Sequence, residues 1–198
     1  MRDATRHAYL EGKRGLSPAL LGSARFVGRV KIDGKGNAVF PHFDDLGLCG
    51  YEIKNQGFTG FSGGGRKGLW QSNVEAEDVR LVITEGAIDA LSYAQLHPEA
   101  LTRYASLGGQ LSAIQPSLIR EAIVDLATGA EIVAAMDSDA AGHRLAVQVE
   151  QAIVAACRED VRFRVHSPSP ADRIKDWNDA LRSTVRKTGD SSFPTAQF

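Results

Sequence analysis

The sequence predicts an α/β protein: a mostly parallel four-stranded sheet with flanking helices, preceded by a small, basic α+β subdomain. Three observations carry that expectation. From Val79 onward, short apolar β-prone runs alternate with amphipathic helical stretches, the order that builds a parallel sheet covered on both faces. Residues 24–54 instead show short alternating runs separated by turn pairs, the pattern of antiparallel hairpins. Charge divides the same way: residues 1–73 hold 11 Lys and Arg against 6 Asp and Glu, while residues 74–198 hold 12 against 18. A basic front and an acidic back pair a polyanion-binding surface with a cation-binding one.

Residues 3–23 read as a helix, a turn at "KRGLSP" and a second short helix, with Pro18 near its start, where a missing N–H costs little. "RFVGRVKID", "AVFPHFDD" and "LCGYEIK" follow as strands, joined at "GKGN" and "LG". "NQGFTGFSGGGRKGLWQSN" reads as a glycine-rich loop into the second unit. There, "RLVIT" is a strand and "AIDALSYAQLH" a helix ended by Pro98. "TRYASL" is a strand, Gly108-Gly109 a turn, and "QPSLIREAIVDLAT" a helix opened by Pro116. "EIVAAM" is a strand, "AAGHRLAVQVEQAIVAACRE" a long helix, "VRFRVHSP" the last strand and "DWNDALRSTVRK" a short closing helix. "GDSSFPTAQF" reads as a frayed tail. The expected divisions are 1–73, 74–188 and 189–198.

Composition narrows the function classes. With 43% hydrophobic and 24% charged residues, the chain has ordinary globular composition and length enough for a sizeable core. No apolar stretch approaches the roughly 20 residues of a membrane span, and the start lacks the apolar centre of a signal peptide. Cys49 and Cys157 lie far apart in no paired motif, which argues against a disulfide framework or a cysteine zinc site and fits a reducing cytoplasm. Each is expected to be a small buried hydrophobe. The histidines show no metal-ligand spacing.

The chemistry-bearing residues sit where strands end. In open parallel sheets, sites form beyond the carboxyl ends of the strands. Glu85 directly follows "LVIT", and Asp137 and Asp139 directly follow "EIVAAM". If those strands are neighbours, the acids share one crevice, and Asp89, one helical turn beyond Glu85, points into it. Like charges at close range repel unless a cation neutralises them or their pKa values rise. All-oxygen ligation favours a hard cation, Mg²⁺ above all, with Mn²⁺ as its usual substitute. Each acid also has an ordinary structural reading, as a helix N-terminal charge or an N-cap. Asp176 and Asp179, in "RIKDWNDAL", either extend the acidic site or serve the first turn of a helix, and Lys175 is a candidate phosphate contact.

"GFSGGGRKGLW" contains Gly60-x-Ser62-x-Gly64, the spacing of a hydrolase nucleophile elbow, but that motif needs a strand before the serine and a helix after it. Glycines and two cations follow instead. The stretch reads as a turn presenting Arg66, Lys67 and backbone N–H groups to phosphates. Trp70 is expected in the core rather than stacked on a base, and Trp177 in packing.

"TEGAIDAL" with "MDSDAAGHRLA" resembles the TOPRIM domain of topoisomerases, bacterial primases and related nucleases. "SLGG", Ser106 to Gly109, and "KDWNDAL", Lys175 to Leu181, fall where bacterial-type primases carry a Ser-Leu-Gly turn and a further acidic motif. "YLEGKRGLSPALL", "NAVFPHFDDLGLCGYEIK" and "GGGRKGLW" resemble the start, the strands and the basic stretch of the primase catalytic core, closest to those of plasmids and other mobile elements. No Cys/His cluster matches the zinc ribbon of cellular primases. The resemblance implies a TOPRIM fold and a Mg²⁺-dependent nucleotidyltransferase that makes primers on single-stranded DNA from NTPs. It implies Glu85, Asp137, Asp139 and Lys67 as catalytic residues, with Asp89, Asp176 and Asp179 extending the metal site. Arg66, Lys67, Lys175, Gly108 and Gly109 would then bind phosphate or nucleic acid, and a helicase or relaxase is a candidate partner. Two alternatives stand: a TOPRIM nuclease using the same acids with water as nucleophile, and a non-catalytic nucleic-acid-binding module.

Overall fold

The first 61 residues build an antiparallel sheet and two short helices. A computed structural model describes residues 1–169 and 174–190; the end of the expected tail, 191–198, lies outside the described residues. In chain order the first elements are β1 (Arg2–Asp3), α1 (Ala8–Gly12), α2 (Pro18–Leu21), β2 (Lys31–Ile32), β3 (Ala38–Asp44), β4 (Gly47–Asn55) and β5 (Phe58–Phe61). The strands pair as a meander in sequence order, each antiparallel to the last. Pro18 opens α2, as its fixed φ allows, and the Ser17 hydroxyl caps it by accepting from the Leu20 N–H at 3.2 Å.

The remaining elements are β6 (Trp70–Gln71), β7 (Arg80–Thr84), α3 (Ala87–Leu96), β8 (Thr102–Ser106), α4 (Gln115–Val124), β9 (Glu131–Ala134), α5 (Ala140–Ala155), β10 (Arg162–Val165) and α6 (Trp177–Asp190). They form a sheet of order β10-β9-β7-β8-β6. β10, β9, β7 and β8 are the expected four parallel strands. β6 adds an antiparallel fifth at the edge.

Two readings need correction. The stretch taken as one glycine-rich loop contains β5 and β6, strands too short to show a period. "RFVGRVKID" is a strand only at Lys31–Ile32. Before that the chain turns, with Gly28 at φ +81°, and its polar groups are satisfied from outside any ladder. The Asn73 amide donates to the Ala24 and Val27 carbonyls at 2.7 and 3.0 Å, and its oxygen accepts from Arg29 Nε at 2.7 Å.

Strand alternation divides the core between the two faces of the parallel sheet. Val82 faces a cluster with Leu10, Phe26, Phe40, Trp70, Leu91 and Trp177, so the antiparallel part, α3 and α6 cover one face. Leu81 and Ile83 face the other way, onto Ile119, Ile132 and Val149 beneath α4 and α5. Trp70 is fully buried, parallel to Phe26 and edge-on to Phe40, and its Nε1 donates to the Arg29 carbonyl at 2.7 Å. It is a core residue, as expected, and it joins the two sheets. Trp70→Ala is expected to cost about 3–5 kcal/mol in urea unfolding monitored by circular dichroism. Both cysteines are free and neither is buried as expected: Cys49 is half-buried and Cys157 is exposed in a turn at φ +52°. Among the described residues no helix is long and apolar enough to cross a membrane.

Candidate active site

The strand order puts the acids side by side. β7 lies between β9 and β8, parallel to both, with Ile83 opposite Ala134 on one side and Thr84 opposite Ser106 on the other. Their carboxyl ends therefore emerge together. Glu85 leaves β7, Asp137 and Asp139 leave β9, and the Gly108-Gly109 turn leaves β8. The Gly109 N–H donates to the Glu85 carbonyl at 2.9 Å, tying that turn to the first acid. Gly108 and Gly109 have φ of +67° and +92°, a conformation that L side chains rarely adopt. A cleft of about 330 Å³ opens here, lined by Glu85, Asp89, Asp137, Gly108, Gly109 and Lys67. Its far wall is Glu52, Lys54 and Phe61, from the antiparallel sheet.

Charge crowding shows in the carboxyls. Burial pushes Asp137 up to about 7, helped by the nearby charges of Glu85 and Asp176. Burial also raises Glu85, with Asp139 adding to it, and lifts Asp89 well above the carboxylate range, with Asp176 and Asp137 adding to it. Asp139 goes the other way: the Gly142 N–H and then Lys175 hold it low. Its Oδ1 accepts from the Ala141 and Gly142 N–H groups, both at 2.9 Å, capping α5. Its Oδ2 lies 3.1 Å from Lys175 Nζ, which also approaches Asp137 Oδ2 at 3.8 Å. Asp139 is thus an N-cap through one oxygen and the ion-pair partner of Lys175 through the other.

An ammonium group between two aspartates is the local test of whether a metal ion suits this site. The donors are oxygen only, a cation already lies between two of them, and the Lys175 side chain is 59% exposed. Among the described residues, no three Asp, Glu, His or Cys side chains are gathered closely enough to cage an ion as they stand. The donor set fits a hard cation, with its approach to Glu85 requiring side-chain movement.

The family model described as Toprim-like matches residues 82–181, just over half of the chain. The chain belongs to the Toprim-like family. Residues 8–75 match a second family, described as protein of unknown function (DUF3991). No curated protein matches the sequence. The Toprim-like chain is similar in structure to the primase fragment of the bacteriophage T7 primase-helicase protein: 20% identity over 95% of this chain and 74% of that one, with a TM-score of 0.56. It is also similar to a chain in the structure of bacteriophage T7 lagging-strand DNA polymerase interacting with primase domains bound to an RNA/DNA hybrid and dTTP: 16% identity, 94% and 91% covered, TM-score 0.53. These likenesses establish the fold, a TOPRIM sheet preceded by a small α+β part.

Within this Toprim-like site the remaining sequence-marked residues divide. Lys67 lines the cleft and donates to the Gln110 carbonyl at 3.1 Å, beside Gly109. Arg66 turns away to Asp44 at 2.5 Å and is not among the cleft-lining residues. Lys175 meets the aspartates rather than standing as a free phosphate contact. Asp176 caps α6, accepting from the Asp179 N–H at 2.7 Å, yet its charge still raises Glu85, Asp89 and Asp137. Asp179 pairs with Arg182 at 3.5 Å. Ser62 accepts from the Tyr51 N–H at 3.0 Å and has no helix after it, so the elbow reading fails. Glu52, Lys54 and Phe61 went unmarked in the sequence. The available signal was a glutamate at an alternate position of "GYEIK", where a strand side chain faces inward.

Gly142 fixes Asp137 in place. A Cβ there would lie 2.2 Å from the Asp137 carbonyl oxygen, so α5 packs on that backbone only because residue 142 has no side chain. Gly142→Ala is expected to displace the Asp137 segment. The melting temperature should fall, and any activity that depends on the Asp137 carboxylate should drop by about 10²-fold for a displacement of about 1 Å. Unchanged turnover would remove Asp137 from the reacting centre.

Proposed function

We propose that the protein is a divalent-metal-dependent nucleotidyltransferase that synthesises primers on single-stranded DNA from NTPs. One observation carries the reading: carboxylates from two adjacent parallel strands face the same cleft as Lys67 and the Gly108-Gly109 turn. That cleft therefore pairs a cation-binding side with a phosphate-binding side. Glu85, Asp137 and Asp139 would hold Mg²⁺ or Mn²⁺, and the bound ion supplies activation of a 3′-hydroxyl and neutralisation of charge at phosphorus. Lys67 neutralises the triphosphate, and the glycine turn lets phosphate oxygens approach the backbone. Lys175, beside Asp137 and Asp139, would neutralise charge on the leaving pyrophosphate. The new bond joins the hydroxyl oxygen to the α-phosphorus, and the bond to pyrophosphate breaks. Residues 1–73 guide the template through their net positive charge.

The structurally similar bacteriophage T7 chains add support, one being a primase fragment and the other belonging to a complex of primase domains bound to an RNA/DNA hybrid and dTTP. A cytoplasmic setting, which rests on the unpaired cysteines, and a plasmid or mobile-element context and a helicase or relaxase partner, which rest on resemblance, belong to the proposal. The test is incubation with Mg²⁺, single-stranded DNA and labelled NTPs. Growth of a polymer, lost in Glu85→Gln, is the expected outcome. Loss of the template instead identifies the same acids as those of a nuclease.

A further inference from the structure

The cleft contains one polar group that neither the fold nor the acidic site explains. Glu52, on β4, is 5% exposed. Its Oε1 pairs with Lys54 Nζ at 2.9 Å, while its Oε2 is buried with no hydrogen-bond partner. A buried carboxylate oxygen left unpaired is costly, and the fold alone gives no reason to keep one. It stands on the wall opposite Glu85 and Asp137, beside the Phe61 ring, whose strand pairs with β4 in the register Glu52↔Phe61. An ionised carboxylate can only accept hydrogen bonds, so its ligand must donate one.

We propose that Glu52 selects and orients the incoming nucleotide by accepting a hydrogen bond, through Oε2, from a hydroxyl or amino group of the nucleoside. This inference rests on the nucleotidyltransferase reading and extends it. Phosphates carry acceptors and negative charge, so Glu52 repels them towards Lys67 and the Gly108-Gly109 turn. The nucleoside is left at the Glu52–Phe61 wall, with the ring of Phe61 as apolar surface. Glu52 thereby sets the direction in which a nucleotide enters, phosphates towards the strand ends and nucleoside towards the antiparallel sheet. Lys54 holds the other carboxylate oxygen in place at 2.9 Å.

Equilibrium dialysis of the full chain with Mg²⁺ and each labelled NTP and 2′-deoxy NTP, without template, reads this directly, since binding requires no turnover. Wild-type protein is expected to prefer one class. A preference for NTPs over their 2′-deoxy forms identifies the donor as the sugar hydroxyl, and a preference among bases identifies it as a base amino or imino group. Glu52→Gln keeps the size of the side chain and removes its charge. It is expected to weaken binding of the preferred nucleotide about tenfold and erase the preference, as loss of one charge-assisted hydrogen bond does. In steady-state synthesis it should raise KM with kcat nearly unchanged, a split that a general loss of stability would not give. Should Glu52→Gln fold poorly, Glu52→Asp, which keeps the charge and shortens the reach, gives the same readout. Wild-type selectivity and affinity in both variants overturn the role of Glu52 while leaving the nucleotidyltransferase intact. Failure of wild-type protein to bind any nucleotide overturns both.

Discussion

Asp137→Asn is expected to abolish Mg²⁺-dependent synthesis and, without divalent cation, to make the protein more stable. The loss follows from removing one of the carboxylates that share the cation side of the cleft. Charge stabilisation of several kcal/mol at a phosphoryl centre corresponds to a loss on the order of 10³-fold, and Glu85→Gln should behave alike. The gain in stability follows from the proton. The Asp137 carboxyl titrates at about 7 in the folded chain against an ordinary 3.8, because burial and the charge of Glu85 oppose its ionisation. Between those values the folded state holds the proton more tightly than the unfolded state, so stability falls as pH rises through that window and stays low above it. Asparagine escapes this loss. The variant should match wild type near pH 4 and exceed it at pH 8 by at least about 1 kcal/mol, or about 2–4 °C in Tm. Melting curves in chelator at both pH values check this. Equal stability at pH 8 would show that the Asp137 carboxyl carries no burial penalty, and activity within tenfold of wild type would remove it from the cation site.

Why this site was readable from the sequence, and parts of it were not, comes down to chain distance. Glu85, Asp137 and Asp139 each follow a strand within a few residues, and a parallel sheet carries strand ends to one edge by its topology alone. Gly108-Gly109 follows β8 in the same way. Lys175 has no such local rule. Its place between the aspartates depends on Ser138, whose N–H donates to the Lys175 carbonyl at 3.0 Å, and on Trp177, whose Nε1 reaches the Ala135 carbonyl at 3.1 Å. Those contacts dock the start of α6 onto the loop after β9 across more than thirty-five residues of chain. Glu52 lies on a different sheet from every other acid in the cleft, so strand order within the parallel sheet could not bring it in. β6 failed for a different reason: two residues hold no period, and only pairing with β8 defines them as strand.

Asp78→Ala is expected to destabilise the protein by about 3–5 kcal/mol. Asp78 lies in the charged stretch "EAEDVR" and has no solvent exposure at all. Its Oδ1 accepts from Arg25 at 2.8 Å, and its Oδ2 accepts from Arg25 at 3.0 Å, Arg103 at 3.3 Å and the Glu75 N–H at 3.0 Å. Arg103, itself 2% exposed on β8, also donates to the Ala122 carbonyl of α4 at 3.3 Å. One carboxylate thus joins the basic front, through Arg25, to the parallel sheet and a helix on its far face. Removing it leaves the buried Arg103 without its counter-charge and Arg25 with only the longer pair to Glu75 at 3.5 Å, and that penalty exceeds the worth of the pair itself. Burial alone would raise this carboxyl, but the Arg25 hydrogen bond and the other donors hold it below the ordinary range. Its stabilisation is therefore present above the unfolded carboxylate pKa and is lost as pH falls through the lower folded value. Urea unfolding should show the full deficit of Asp78→Ala at neutral pH and a smaller one in strong acid, where the wild-type carboxyl is also protonated. A deficit that stays constant with pH would trace the loss to the cavity rather than to the charge.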